Sequence, residues 1–101
     1  MRICAIAALL TVSTVAQGTD DVGAELARRL LIEGKILPLE EVVGRARVLR
    51  EGSLIEADLH YEAGHAGYVY ELHMLDNAGA VWELEFHADS GKLIEHEIVD
   101  H

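Results

Sequence analysis

Several things are scarce in this sequence, and each scarcity excludes something. A single cysteine among 101 residues rules out both a disulfide framework and a cysteine-based metal site. Basic residues are few, 8 Lys+Arg against 18 Asp+Glu, for a formal net charge of -10. That balance argues against nucleic acid, whose phosphates need Lys and Arg to displace their counterions, and equally against an anionic membrane surface. Apolar runs are short, and none reaches the roughly 20 residues of a membrane-spanning helix. No His-Glu-x-x-His helix, no Asp-x-Asp-x-Asp-Gly loop and no other catalytic constellation is present. What remains is a chain that is 50% hydrophobic and 26% charged, with one proline, which suits a single small folded domain rather than a disordered segment.

The N-terminus has the pattern of a secretory signal peptide. A basic Met1-Arg2 start is followed by an apolar stretch from Ile3 to Val15, then by Thr14-Val15-Ala16 with small residues at the positions a signal peptidase reads. Cleavage after Ala16 or Gly18 would remove Cys4, leaving a thiol-free, acidic mature chain in the periplasm or medium. Residues 1–16 are therefore assigned to a cleaved leader and 17–101 to one domain. The alternative is a buried N-terminal helix. A lipoprotein is not expected, because Cys4 precedes the apolar run instead of closing it.

Gly18 to Asp21 forms a polar lead-in, with Asp20 or Asp21 placed to cap a helix. Val22, Leu26 and Leu30, widened by Ala27 and Leu31, recur at helical spacing up to Gly34. Pro38 suits the first turn of a second short helix, with Glu40 and Glu41 at its positive end and Leu39, Val42 and Val43 on its apolar side, ending near Ala46. Beyond Arg50 the period changes to two. Leu54–Glu62, Tyr68–Leu75, Ala80–His87 and Leu93–Val99 each alternate apolar with charged or polar residues, and glycine-bearing turns separate them. The expected fold is α+β, an N-terminal helix plus a short helix packed on a four-stranded antiparallel meander sheet.

Three segments carry a family resemblance: Tyr68-Val69-Tyr70-Glu71-Leu72, Gly79-Ala80-Val81-Trp82-Glu83-Leu84-Glu85-Phe86, and Ala88-Asp89-Ser90-Gly91-Lys92-Leu93. Together with the helical stretch from Ala27 to Glu41 they resemble the PepSY domain family, over most of residues 25 to 98. His87 stands where the family has an acidic residue, and Ser90 where it has threonine. The resemblance implies a small extracytoplasmic module that binds or regulates another protein, such as a peptidase or a membrane sensor. It implies no catalytic residues and no cofactor.

The turns also set a register. Asp76–Gly79 suits a type I turn closed by a left-handed glycine, pairing Asp76 with Ala80, and the same device pairs Ala88 with Lys92. Matching apolar faces sets Tyr61 opposite Tyr68. One face then carries the rows Leu59-Tyr70-Phe86-Ile94 and Ala57-Leu72-Leu84-His96. The other carries Asp58-Glu71-Glu85-Glu95, flanked by Glu56-His73-Glu83-Glu97 and by His60-Val69-His87-Leu93. Like charges directly opposed destabilise a sheet, so a row of four carboxylates calls for compensation, by water and salt or by a bound group.

Two bound groups fit. The first is a basic surface of another protein. The second is a divalent cation: the carboxylates suit calcium, whereas His60, His73 and His87 would suit a transition metal. An open sheet offers no cleft for hydrolysis between paired carboxyls, so no enzyme is expected. Trp82 alternates with Leu84 and Phe86 and is expected in the core beneath the helices, with a partner-binding anchor as the alternative. Tyr61 and Tyr68 flank the Ala63–Gly67 loop, where an apolar grip on a partner could form. The outer edges of the first and last strands could each accept a second copy, so a homodimer is open.

Overall fold

The computed structural model describes residues 19–65 and 67–100. The leader assigned from Met1 to Ala16, with its cleavage site, lies outside the described residues. Five antiparallel strands form one sheet in sequential order: β1 (Thr19–Asp21), β2 (Gly52–Glu62), β3 (Gly67–Asp76), β4 (Val81–His87) and β5 (Leu93–Asp100). Helices α1 (Ala24–Ile32) and α2 (Leu39–Leu49) lie between β1 and β2 in the chain, and Ala63–His65 makes one 3-10 turn in the β2–β3 hairpin. The α+β meander with its two helices is as the sequence periods indicate.

The short strand β1 is an addition to the expected four. Its residues pair with Glu62, Tyr61 and His60 of β2, and the amide of Val22 extends the contact to the Leu59 carbonyl at 3.0 Å. Three polar residues are too few to display a period of two, so their sequence resembles a lead-in. Consequently Asp20 and Asp21 do not cap α1. Gly23 is its N-cap in extended conformation, without a side-chain bond, and Glu25 supplies the negative charge in the first turn. Pro38 is the N-cap of α2, and that helix runs on past Ala46 to Leu49, where the Arg50 amide bonds the Ala46 carbonyl at 2.8 Å.

The core lies between the helices and one face of β3 and β4. Val42 and Ala46 of α2, Leu72 and Met74 of β3, and Leu84 and Phe86 of β4 are almost wholly excluded from solvent. Leu30 and Ile36 complete it from the α1 side. The α1–α2 connector is tied down by two bonds: the Leu37 amide donates to the Ala88 carbonyl (2.8 Å), and the Tyr70 hydroxyl donates to the Leu37 carbonyl (2.7 Å).

The register follows the turns almost throughout. Tyr61 faces Tyr68, Glu71 faces both Asp58 and Glu85, and Glu85 faces Glu95. Gly79 and Gly91 adopt the positive φ that their turns require, 91° and 76°. Irregularities between Leu54 and Glu56 of β2 and between Val81 and Trp82 of β4 leave the rows in place, and the slip that changes a row is at the last turn. Ala88 donates its amide to Tyr68 of β3 instead of pairing with Lys92, and His87 bonds Lys92 in its place. An irregularity at Ile94 absorbs the extra residue, so Leu93 pairs with Phe86 on the helix side and the expected order resumes at Glu95. The row His60-Val69-His87 therefore ends without Leu93.

Trp82 is at the rim of the core rather than beneath the helices. The Arg50 guanidinium covers its ring at 3.6 Å from the centroid, and the His96 ring lies 5.0 Å away on a tilted plane. Its indole N–H donates to Asp76 Oδ2 at 2.9 Å, while Asp76 Oδ1 accepts the amides of Ala78 and Ala80. These donors hold the Asp76 carboxyl below the ordinary aspartate range.

Candidate functional site

The face of the sheet turned away from the helices carries two of the three expected rows intact. Asp58, Glu71, Glu85 and Glu95 stand in one line across β2 to β5. Glu56, His73, Glu83 and Glu97 stand in the next. Each strand contributes alternate residues because its other half is committed to the core, so packing on one side fixes the charge pattern on the other. No strand of the sheet contains a lysine or arginine. Among the described residues, the basic ones lie on α1 and α2, in the segments that follow them and in the β4–β5 turn. The face therefore has no fixed positive charge of its own.

Crowding of like charges shows in the acidities. The Glu85 carboxyl is pushed up to about 8, first by burial, then by a hydrogen bond with Glu83 and the negative charges of Glu62, Glu83 and Glu95. Glu71 is also raised, again chiefly by burial and then by Glu83, with His73 and His60 pulling the other way. At the solvent-exposed end Glu95 is raised mainly by the charge of Glu97. The raised values favour the protonated form of these carboxyls, which lessens the repulsion.

Two smaller clusters subdivide the face. At its centre, His73 Nε2 lies 3.7 Å from Glu71 Oε2 and 3.9 Å from Glu83 Oε1, and its Nδ1 is 3.9 Å from Glu56 Oε1. Ligand atoms of Glu71, His73 and Glu83 fall within 4.8 Å of one another, the one such grouping of metal-ligating side chains among the described residues. Near the β2–β3 hairpin, Glu62 joins two histidines: His60 Nε2 at 2.8 Å and His65 Nε2 at 3.4 Å. The His65 ring meets His87 edge-on at 5.5 Å, and Val69 beneath is fully buried. This end of the face is thus closed over, with His60 only 4% exposed, while the rest stays open.

The structure does not gather His60, His73 and His87 into one group. Each serves a different neighbour. Glu62 and His65 were not singled out from the sequence, although Glu62 follows His60 by two residues and so shares its face. Tyr61 and Tyr68 stack edge to face at 5.3 Å and flank the hairpin as expected. No helix in the described residues is long and apolar enough to cross a membrane. Comparison with known proteins finds no match: no family model, no curated protein and no solved structure aligns significantly with the chain.

Proposed function

We propose that the protein is a non-catalytic, extracytoplasmic binding module that takes a basic surface of another protein on its open acidic sheet face. The observation that carries this reading is the unbroken carboxylate row Asp58-Glu71-Glu85-Glu95, with three more carboxylates beside it in the row Glu56-His73-Glu83-Glu97, on a sheet whose strands contain no lysine or arginine. A cationic partner would relieve the repulsion within those rows and favour the ionised form of their carboxyls. The signal-peptide pattern supports a periplasmic or secreted location. The likeness to PepSY domains supports a regulatory role toward a peptidase or a membrane sensor. The openness of the face supports recognition without catalysis.

The test is capture of partners from periplasmic extract on the immobilised protein, at low and at high salt, with Glu71→Gln plus Glu85→Gln as a second bait. A partner held at low salt, released by salt and weakened by the double variant supports the reading. Partners insensitive to both salt and the variant would overturn it.

A second reading rests on the Glu71–His73–Glu83 grouping, which offers one imidazole nitrogen and two carboxylates to a divalent transition metal. Calorimetric titration with zinc, copper and calcium tests it. Binding of zinc or copper that His73→Gln abolishes would favour this reading over the first. No heat with any of the three ions would remove it.

A further inference from the structure

The sheet ends at β5 with one edge unpaired: among the described residues, β4 is its sole neighbour. An exposed edge presents free backbone groups to any extended chain, and proteins commonly blunt such edges with lysine, with bulges or with a covering element. Here the regular stretch Glu95–Ile98 lies between two irregularities in the β4–β5 register, and no lysine or arginine interrupts β5. Both faces of β5 present exposed side chains. Glu95 and Glu97, paired with Glu85 and Glu83, extend the acidic rows to the edge. On the helix side, Leu93 and Ile98 are 43% and 41% exposed, as is Leu49 at the end of α2 at 41%, while His96 between them accepts a hydrogen bond from Arg50 Nε at 3.2 Å.

The edge discriminates between occupants. A second copy pairing antiparallel through β5 would set glutamates directly against glutamates, on a sheet where such rows already repel. A strand with basic side chains on one face would meet Glu95 and Glu97 with opposite charge, and apolar side chains on its other face would cover Leu93 and Ile98. The repulsion weighs against self-pairing and the same charges attract the complementary strand. We infer that the β5 edge receives, as a sixth strand, an extended segment of another polypeptide that alternates basic and apolar side chains. This inference rests on the proposed binding role of the acidic face and specifies how the partner is held.

The experiment uses three capped synthetic peptides: alternating lysine and valine, the same peptide N-methylated at every backbone nitrogen, and alternating glutamate and valine. Backbone amide NMR of the purified protein at low salt reads which residues each perturbs. The lysine–valine peptide is expected to bind with shifts concentrated on Leu93–Asp100, and the N-methylated peptide, with equal charge but no backbone N–H to donate, is expected to bind about tenfold more weakly or not at all. Replacing Glu95→Lys together with Glu97→Lys should lower affinity for the lysine peptide about tenfold and turn the preference toward the glutamate peptide. Equal binding of the methylated and unmethylated lysine peptides, or shifts centred on Glu71, His73 and Glu83, would overturn strand addition and leave the acidic-face reading standing. Failure of both lysine peptides to bind would overturn the two together. The methylation comparison needs no variant, so it decides the matter even if the charge-reversed protein does not fold.

Discussion

On the helix side of the sheet, Leu72, Met74, Leu84 and Phe86 are sealed under α1 and α2. On the other side, the intervening residues of the same two strands are Glu71, His73, Glu83 and Glu85. One set gains free energy from leaving water, and its members support one another. The other set is held together at close range in spite of its charge, and burial, followed by the neighbouring carboxylates, pushes the Glu71 and Glu85 carboxyls above their ordinary range. Folding alone explains the first face. The second face opposes folding, and such a feature is understandable where recognition uses it. The same backbone builds both, so a substitution one residue along a strand moves from one regime to the other.

The largest contrast is between neighbouring residues of β3. Leu72→Ala, in a fully buried position, should cost about 2–5 kcal/mol by urea denaturation. Replacing the adjacent Glu71 by Gln should cost nothing, and a measurable loss there would blur the distinction between the faces.

The dependence on pH should come next in size. A carboxyl whose folded pKa is raised binds its proton more tightly in the folded than in the unfolded state, so stability falls as pH rises between the two values. For Glu85 that window runs from its ordinary 4.5 to about 8, and Glu71 and Glu95 add to it in the same direction. The lowered Asp76 works oppositely: its contribution is present above the ordinary 3.8 and is lost as pH falls below it. Thermal melts across pH should therefore show stability highest near the acid end of the Glu85 window and declining toward pH 8, with added salt reducing the decline. A maximum at pH 8 would contradict the assigned shifts.

A smaller effect should come from the rim on the helix side. Arg50→Ala removes the guanidinium over Trp82 and should cost about 1 kcal/mol, accompanied by a red shift of tryptophan fluorescence. Smallest of all, Glu25→Gln and Glu33→Gln on the exposed surface of α1 and its C-cap should stay within about 0.5 kcal/mol of wild type.

How much of this was legible beforehand depended on how strongly each segment repeated a pattern. The four long strands declared themselves through strict alternation, and two glycine turns set the register closely enough to place Glu71 against Glu85 and Glu85 against Glu95. Elements without a repeating pattern were hidden. β1 has three polar residues and owes its strand form to the partner edge of β2. The Ala88 amide bonds β3, a tertiary choice that no local turn rule contains, and it displaced Leu93 to the helix side. Trp82 fits the core alternation perfectly, yet it lies near the border of the sheet, where helix coverage ends. Within the site, the carboxylate rows were readable, but the closing of the hairpin end by Glu62, His60 and His65 was not. It depends on a 3-10 turn returning over the face, and polar loop residues give no sign of where they fold.

The central claim is that the acidic face is maintained against stability, and one comparison of melting temperatures addresses it most directly. Glu71→Gln plus Glu85→Gln and the wild type are melted at low salt and at a pH of about 9, above the Glu85 value of about 8, where the full repulsion is present. The account predicts that the double variant melts higher by roughly 2–8 °C, the equivalent of relieving one or two like-charge cross-strand pairs. A double variant that melts at or below the wild-type temperature would contradict it.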